Sequence, residues 1–286
     1  MSTLSAGFKP PASQATSIGL LLSVGALAAL WVGINLVFPG LAPTGIPTVV
    51  TRLGIHFATL AVFWLGLSRT GFSAGKRIML WLSVAIPLTL WLAVVWNLAV
   101  GGVFQPIRVA RLPRLPIAIF APVIVGLLVV WRSKSIAAFL DATPGSWLIA
   151  LQVYRIFGGI FIVNWAIGAA PGLFAWPAGI GDMLTGIMAL PVALSLASGT
   201  KKSRRAAMAW NIFGLLDFAV ATTLGILSTP GPLQIFGFEI PTALLGAYPT
   251  VMTPAFTVPS SILLHALSIR QLRRIERQKN SAPDAP

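Results

Sequence analysis

The chain has 286 residues, 56% of them hydrophobic and only 9% charged, with 10 Trp, 16 Phe and a mean hydropathy of +0.87. Such a composition describes a protein solvated by lipid and excludes a soluble globular domain. A formal charge of +14 and a pI of 11.8 would point to nucleic acid in a soluble protein, but here the bases gather at the ends of apolar runs, so no nucleic-acid partner is needed.

Crossing a ~30 Å hydrocarbon core takes about 20 apolar residues. The expected fold is therefore all-α, a polytopic integral membrane helix bundle of about eight transmembrane helices. After a cytoplasmic tail over 1–17, the runs predict spans over Ile18 to Phe38, Leu53 to Leu67, Ile78 to Val100 and Ile117 to Trp131. The first is longer than the roughly 7 to 15 residue apolar stretch of a signal peptide and reads as a retained span. A cytoplasmic linker over 132–146 follows. The second half, 147–269, holds spans over Trp147 to Gly168, Trp176 to Ser198, Ala207 to Leu227 and Tyr248 to Ile269, and a basic cytoplasmic tail occupies 270–286.

The bases orient these spans. Lys9, Arg69, Lys76, Arg77, Arg132, Lys134, the Lys201 to Arg205 cluster and the tail from Arg270 to Lys279 fall on one side, against Arg52, Arg108, Arg111 and Arg114 on the other. The positive-inside rule then places both termini in the cytoplasm of a bacterial inner (plasma) membrane. Membrane lipids are the partners this implies, and oligomeric state is left open.

Two stretches align between the halves. WVGINLVFPGL, ending at Leu41, matches VNWAIGAAPGL, ending at Leu173, and IFAPVIVGLLVVWR from Ile119 matches AFTVPSSILLHALSIR from Ala255. Two parallel four-helix repeats would produce this pattern, and so would chance similarity in low-complexity apolar sequence. If the halves are related, 18–131 is scaffold, because the polar intramembrane residues lie in 147–269.

Ionisable residues inside hydrocarbon cost about 2.5 to 3.5 kcal/mol each on insertion scales, which makes each a functional candidate. Counting ~1.5 Å per residue from the span ends puts Arg155 about 12 Å and Asp217 about 15 Å in from the cytoplasmic side. At matching depth the two are expected to pair, with Gln152, Arg155 and Gly159 sharing one helical face and Trp210, Gly214 and Asp217 another. Asp182, six residues into its span, falls roughly 9 Å below the outer surface by the same count. There it would form an outer pocket with Asn164 and Thr185, or cap the helix after Pro177. His265 and Asn211 are expected near the cytoplasmic interface. Together these residues make a candidate ligand or ion path: Arg155, Asp182, Asp217, Asn164, Asn211 and His265.

The last span carries Pro249, Pro254 and Pro259, each of which removes a backbone hydrogen bond. A kinked or broken helix is expected, with a gating role or a purely structural one. The chain has no cysteine, which removes disulfides, thiolate ligands and Cys nucleophiles. The two histidines, His56 and His265, fall toward opposite faces, which disfavours bis-His haem. No metal and no cofactor is expected. The segments GDMLTG at Gly181, AWNIFGLLD at Ala209 and FTVPSSILLH at Phe256 resemble those of bacterial multispanning membrane proteins, and that resemblance implies no particular activity.

Three functions fit these residues. The first is a small transporter or ion-coupled carrier of a small molecule or ion, using the intramembrane Asp and Arg residues. The second is an intramembrane enzyme or binding protein for a lipid, isoprenoid or quinone. The third is a structural or sensory subunit whose buried polar groups serve packing alone.

Overall fold

A computed structural model describes residues 14–38, 40, 45–105 and 114–281. Among these residues the secondary structure is entirely helical. Lys9, Arg108, Arg111 and the Pro113 that follows them lie outside the described residues.

The helices are α1 (Gln14–Val37), α2 (Ile46–Ser68), α3 (Ala74–Val100), α4 (Arg114–Arg132), α5 (Lys134–Ala142), α6 (Gly145–Ala150), α7 (Ile160–Ala166), α8 (Gly172–Ala197), α9 (Lys201–Ser228) and α10 (Val258–Ser281). A 3₁₀ stretch, Leu151–Gly159, joins α6 to α7, so that 145–166 forms one continuous rod. Among the described residues, seven rods are long and apolar enough to cross a membrane: α1, α2, α3, α4, the α6 to α7 rod, α8 and α9. Large apolar side chains such as Leu22, Ile86, Val125 and Leu216 stand exposed on their outer surfaces.

The eighth expected span is resolved differently. A 3₁₀ turn (Ala243–Gly246) precedes it, and its first part is an irregular stretch with a cis Tyr248–Pro249 peptide followed by a π-helical turn (Thr253–Thr257). Regular α-helix begins at Val258, and the basic tail continues it to Ser281. The prolines explain this division. Pro254 cannot donate a backbone hydrogen bond and falls in the π turn, while Pro259 is the second residue of α10, where no intrahelical donor is required.

Other boundaries also move. α2 begins at Ile46 and has Pro47 in its first turn, so Arg52 lies within the helix and is 8% exposed. Its charge made it look like a loop residue at the outer face. α8 begins at Gly172 and α9 at Lys201, four and six residues ahead of the expected starts. Those shifts change the depth of everything they carry.

Around the 3₁₀ stretch pack α1, α2 and α8; α9 lies against α8 and α10, and α4 lies against α10. Apolar clusters hold this arrangement. Phe63 and Leu67 of α2 meet Phe139 and Leu140 of α5 at one end, and Val95 of α3 meets Val251, Met252 and Phe256 of the irregular segment at the other.

The 132–146 segment contains α5, whose N-cap Ser133 accepts a hydrogen bond from the Ile136 amide. The tail of α10 docks on it. Gln271 donates to the carbonyls of Leu140 and Thr143, at 2.5 and 2.6 Å, and Arg274 forms a two-point ion pair with Asp141. That hydrogen-bonded pairing holds the Arg274 guanidinium above its ordinary pKa. Gln271 is buried, whereas the ion pair is about one third exposed. Gln271→Leu leaves two carbonyls unpaired and should cost about 1–3 kcal/mol, while Asp141→Asn should cost about 0.2–1 kcal/mol. Thermal unfolding of the two variants in detergent checks this order.

Candidate functional site

The most polar place inside the bundle is built around Arg155. Ordinary α-helical spacing would put Gln152, Arg155 and Gly159 on one face, but residues 151–159 form a 3₁₀ helix, in which positions three apart eclipse. Gln152, Arg155 and Gly158 therefore share the face, and Gly159 turns instead toward Val32 and Met183. The Arg155 side chain is 1% exposed.

Its guanidinium reaches three helices. Nε donates to Asp182 Oδ1 of α8 at 2.7 Å, one terminal nitrogen pairs with Asp217 Oδ2 of α9, and the other donates to Gly214 O at 3.3 Å and His265 Nε2 at 3.1 Å. The Phe218 ring lies under the same guanidinium, 3.9 Å from its central carbon. Guanidinium nitrogens carry only donors. His265 Nε2 must therefore accept, and the ring proton sits on Nδ1, which donates to Asn211 Oδ1 at 2.9 Å. Asn211 then donates to Ala207 O and Ser268 Oγ.

The Arg155–Asp217 pair is present, and the structure adds two members that the depth count had placed elsewhere. Asp182 is mid-helix rather than a cap, and the cavity it lines contains neither Asn164 nor Thr185. Because α8 starts at Gly172, Asp182 lies ten residues in, about 15 Å by the α-helical rise rather than the 9 Å expected. His265 and Asn211 are both 0% exposed and join the same network. α10 runs on past Arg270, buried as far as Leu272. The expected series of titratable groups at successive depths is thus one cluster. Asn164 is buried on α7 and makes none of the cluster's hydrogen bonds. Thr185 donates to Gly181 O, and its own carbonyl accepts from Trp210 Nε1.

Glycines let the charged groups approach. A Cβ on Gly158 would overlap the Asp182 carboxylate, one on Gly181 would overlap Asp217, and one on Gly214 would come within 2.5 Å of the His265 ring. Pairing in low dielectric needs such contact, because each ion loses its water.

Arg52 and Tyr154 escaped the sequence reading as site residues, and each meets a hydroxyl of the interrupted last span. Arg52 donates to Thr253 Oγ1 at 2.6 Å, and Tyr154 shares a 2.6 Å hydrogen bond with Ser261. One signal was available for Tyr154, since the chain has only two tyrosines and this one adjoins Arg155 inside an apolar run. His56 is buried on α2 and paired with Thr89 at 3.1 Å, apart from the cluster's hydrogen bonds. Pro249 and Pro254 lie in the irregular segment whose Thr253 contacts Arg52, and Pro259 opens α10.

A cavity of about 360 Å³ reaches this network. It lies between α4 and α9, with Leu115, Ile119, Phe174 and Phe218 on its walls, Arg114 and Pro232 around it, and Thr253 and Asp182 supplying polar groups. Its volume is at the lower end of the range for small-molecule sites, and apolar walls with a few polar groups are their usual construction.

A family model described as "Domain of unknown function (DUF8737)" matches residues 112–273, more than half of the chain, and the chain belongs to that family. The matched stretch contains every residue of the Arg155 network and begins two residues before α4. No curated protein and no solved structure matches.

Two predictions follow from the geometry. Arg155→Lys should destabilise the fold by about 3–5 kcal/mol, as breaking a buried ion pair does, because one ammonium cannot reach the acceptors that the planar fork spans. Gly214→Ala should cost about 1–3 kcal/mol by displacing His265 without changing any charge. Melting temperatures in detergent, read beside the wild type, test both.

Proposed function

We propose that this member of the DUF8737 family is a small bacterial inner-membrane carrier that binds its solute in the cavity between α4 and α9. The observation that carries this reading is a cavity that ends on a buried ion-pair network flanked by non-α backbone. The 3₁₀ stretch 151–159 bears Arg155, and the π turn 253–257 lines the cavity through Thr253. Interrupted helices at mid-membrane are where carriers place their sites, because the freed backbone and the break together permit a change of shape. Asp182 and Asp217 are the groups that would exchange a proton or a solute contact, and Arg155 is their counter-charge. Both termini are assigned to the cytoplasm, by the distribution of bases.

A second reading is favoured by one feature. The cavity walls are largely apolar and lie between two helices whose outer faces expose Ile124, Leu128, Leu216 and Val220, as suits a tailed lipid, isoprenoid or quinone taken from the bilayer. In that case the protein is an intramembrane binder or enzyme, and its cavity opens to one side only.

Accessibility separates the two. The chain has no cysteine, so single cysteines can be read without background. Ala221 lines the cavity, and Ser268 is a buried residue of α10 on the far side of His265. For a carrier, Ala221→Cys should react with an impermeant maleimide from one side of the membrane and Ser268→Cys from the other. Asp217→Asn should shift the ratio of the two rates at least about tenfold, equivalent to 1.4 kcal/mol between the two conformations. If Ser268→Cys stays unreactive from both sides while Ala221→Cys labels, the carrier is excluded and the binder remains.

A further inference from the structure

The chemistry of the cavity also bears on what it holds. Two carboxylates, Asp182 and Asp217, share the single guanidinium of Arg155. Asp182 uses one oxygen for that pair, and its second oxygen has no hydrogen-bond partner among the described residues. Asp182 is 8% exposed and lines the cavity. The Asp182 side chain is 12% exposed, so the unpaired oxygen is open to a cation that enters the cavity.

Of the other cations, Arg52 acts on Asp182 electrostatically without pairing with it, and Arg114 stands exposed. Arg52 is absent from the cavity wall, its guanidinium ends on the Thr253 hydroxyl, and it forms no ion pair among the described residues. Arg114 touches the cavity from the start of α4, where it is exposed and donates to Val103 O. At such a position solvent and salt screen its repulsion.

The rest of the lining suits an apolar body. Phe104, Phe161, Phe174 and Phe218 all contribute, and the Phe161 and Phe174 rings meet edge to face at 5.2 Å. Aromatic faces attract cations as well as apolar groups.

We propose that the cavity binds a lipophilic monocation, a molecule with an aromatic or aliphatic body and one ammonium-type head that pairs with the free oxygen of Asp182. This deepens the carrier reading and rests on it only for the transport step, since the binding chemistry stands alone. A carboxylate head would meet Asp182 as a like charge. An alcohol would gain a hydrogen bond to that oxygen but no ion pair.

The test uses purified full-length protein in detergent and three probes of one shape: phenylbutylamine, phenylbutanol and phenylbutyrate. Calorimetric titration near neutral pH should show the amine binding at least tenfold more tightly than the other two. Asp182→Asn should remove that preference and Asp182→Glu should keep it. Equal affinity for amine and alcohol, a preference for the carboxylate, or full amine affinity in Asp182→Asn would overturn the proposal.

Asp182→Asn also weakens a structural ion pair, so a second variant guards the result. Thr222→Trp narrows the cavity and touches none of the ion pairs. It should abolish amine binding while the protein stays folded by its melting curve, and undiminished binding would place the amine elsewhere and sink the proposal. The two readings also fail separately. Two-sided cysteine labelling without amine preference leaves the carrier and removes the cation, and amine preference with one-sided labelling does the reverse.

Discussion

Everything in the second half of the chain is arranged around one buried guanidinium. Arg155 cannot give up its charge in a protein, and in an apolar interior it must find acceptors for its donors or the fold loses several kcal/mol. It finds them on α8, α9 and α10 together, which ties three helices to the rod that carries it. The constraint works in both directions. Glycines at 158, 181 and 214 occur where a methyl group would push the partners away, so backbone spacing and charge pairing depend on each other.

The 3₁₀ stretch belongs to the same constraint. A 3₁₀ helix rises about 2.0 Å per residue against 1.5 Å for an α-helix, so its nine residues cover more of the rod's length. It also stacks residues three apart, which sets Arg155 directly over Gly158 and so over the place where Asp182 packs. Across the bundle the irregular segment before α10 leaves a gap in the helical wall, and α4 and α9 line the space beside it. The departures from regular helix thus coincide with the polar interior and with the cavity.

Much of this was legible in the sequence. Arg155, Asp182 and Asp217 announced themselves as charges inside apolar runs, and Pro249, Pro254 and Pro259 announced the interruption of the last span. Depth was what the sequence hid. Span starts were read where charge or polarity fell away, so α8 and α9 were begun several residues late, and Asp182 and Asn211 were placed too near the starts of their helices. The last helix was ended too early, since basic residues were read as the end of a helix that runs on to Ser281. No pattern in apolar sequence distinguishes 3₁₀ from α periodicity over nine residues, and so the assignment of Gly159 rather than Gly158 to the Arg155 face was a consequence of assuming the commoner geometry. Arg52 was lost because a single charge beside an apolar run looks like a boundary, and only the Pro47 in the preceding turn says otherwise.

The bases of the C-terminal tail, whose number helped to orient the chain, are largely spoken for. Arg270 donates to the carbonyls of Val130 and Ser133, Arg273 lies over the Trp131 ring at 5.7 Å, and Arg274 is paired with Asp141. Residues that a topology rule treats as interchangeable positive charges are here individual fasteners between the last helix and the α4 to α5 corner. Reversing or deleting them to flip the orientation would undo that corner at the same time. An inverted protein and a misassembled one would then give the same loss of signal. On the proposed topology, orienting charge and tertiary contact are written with the same side chains.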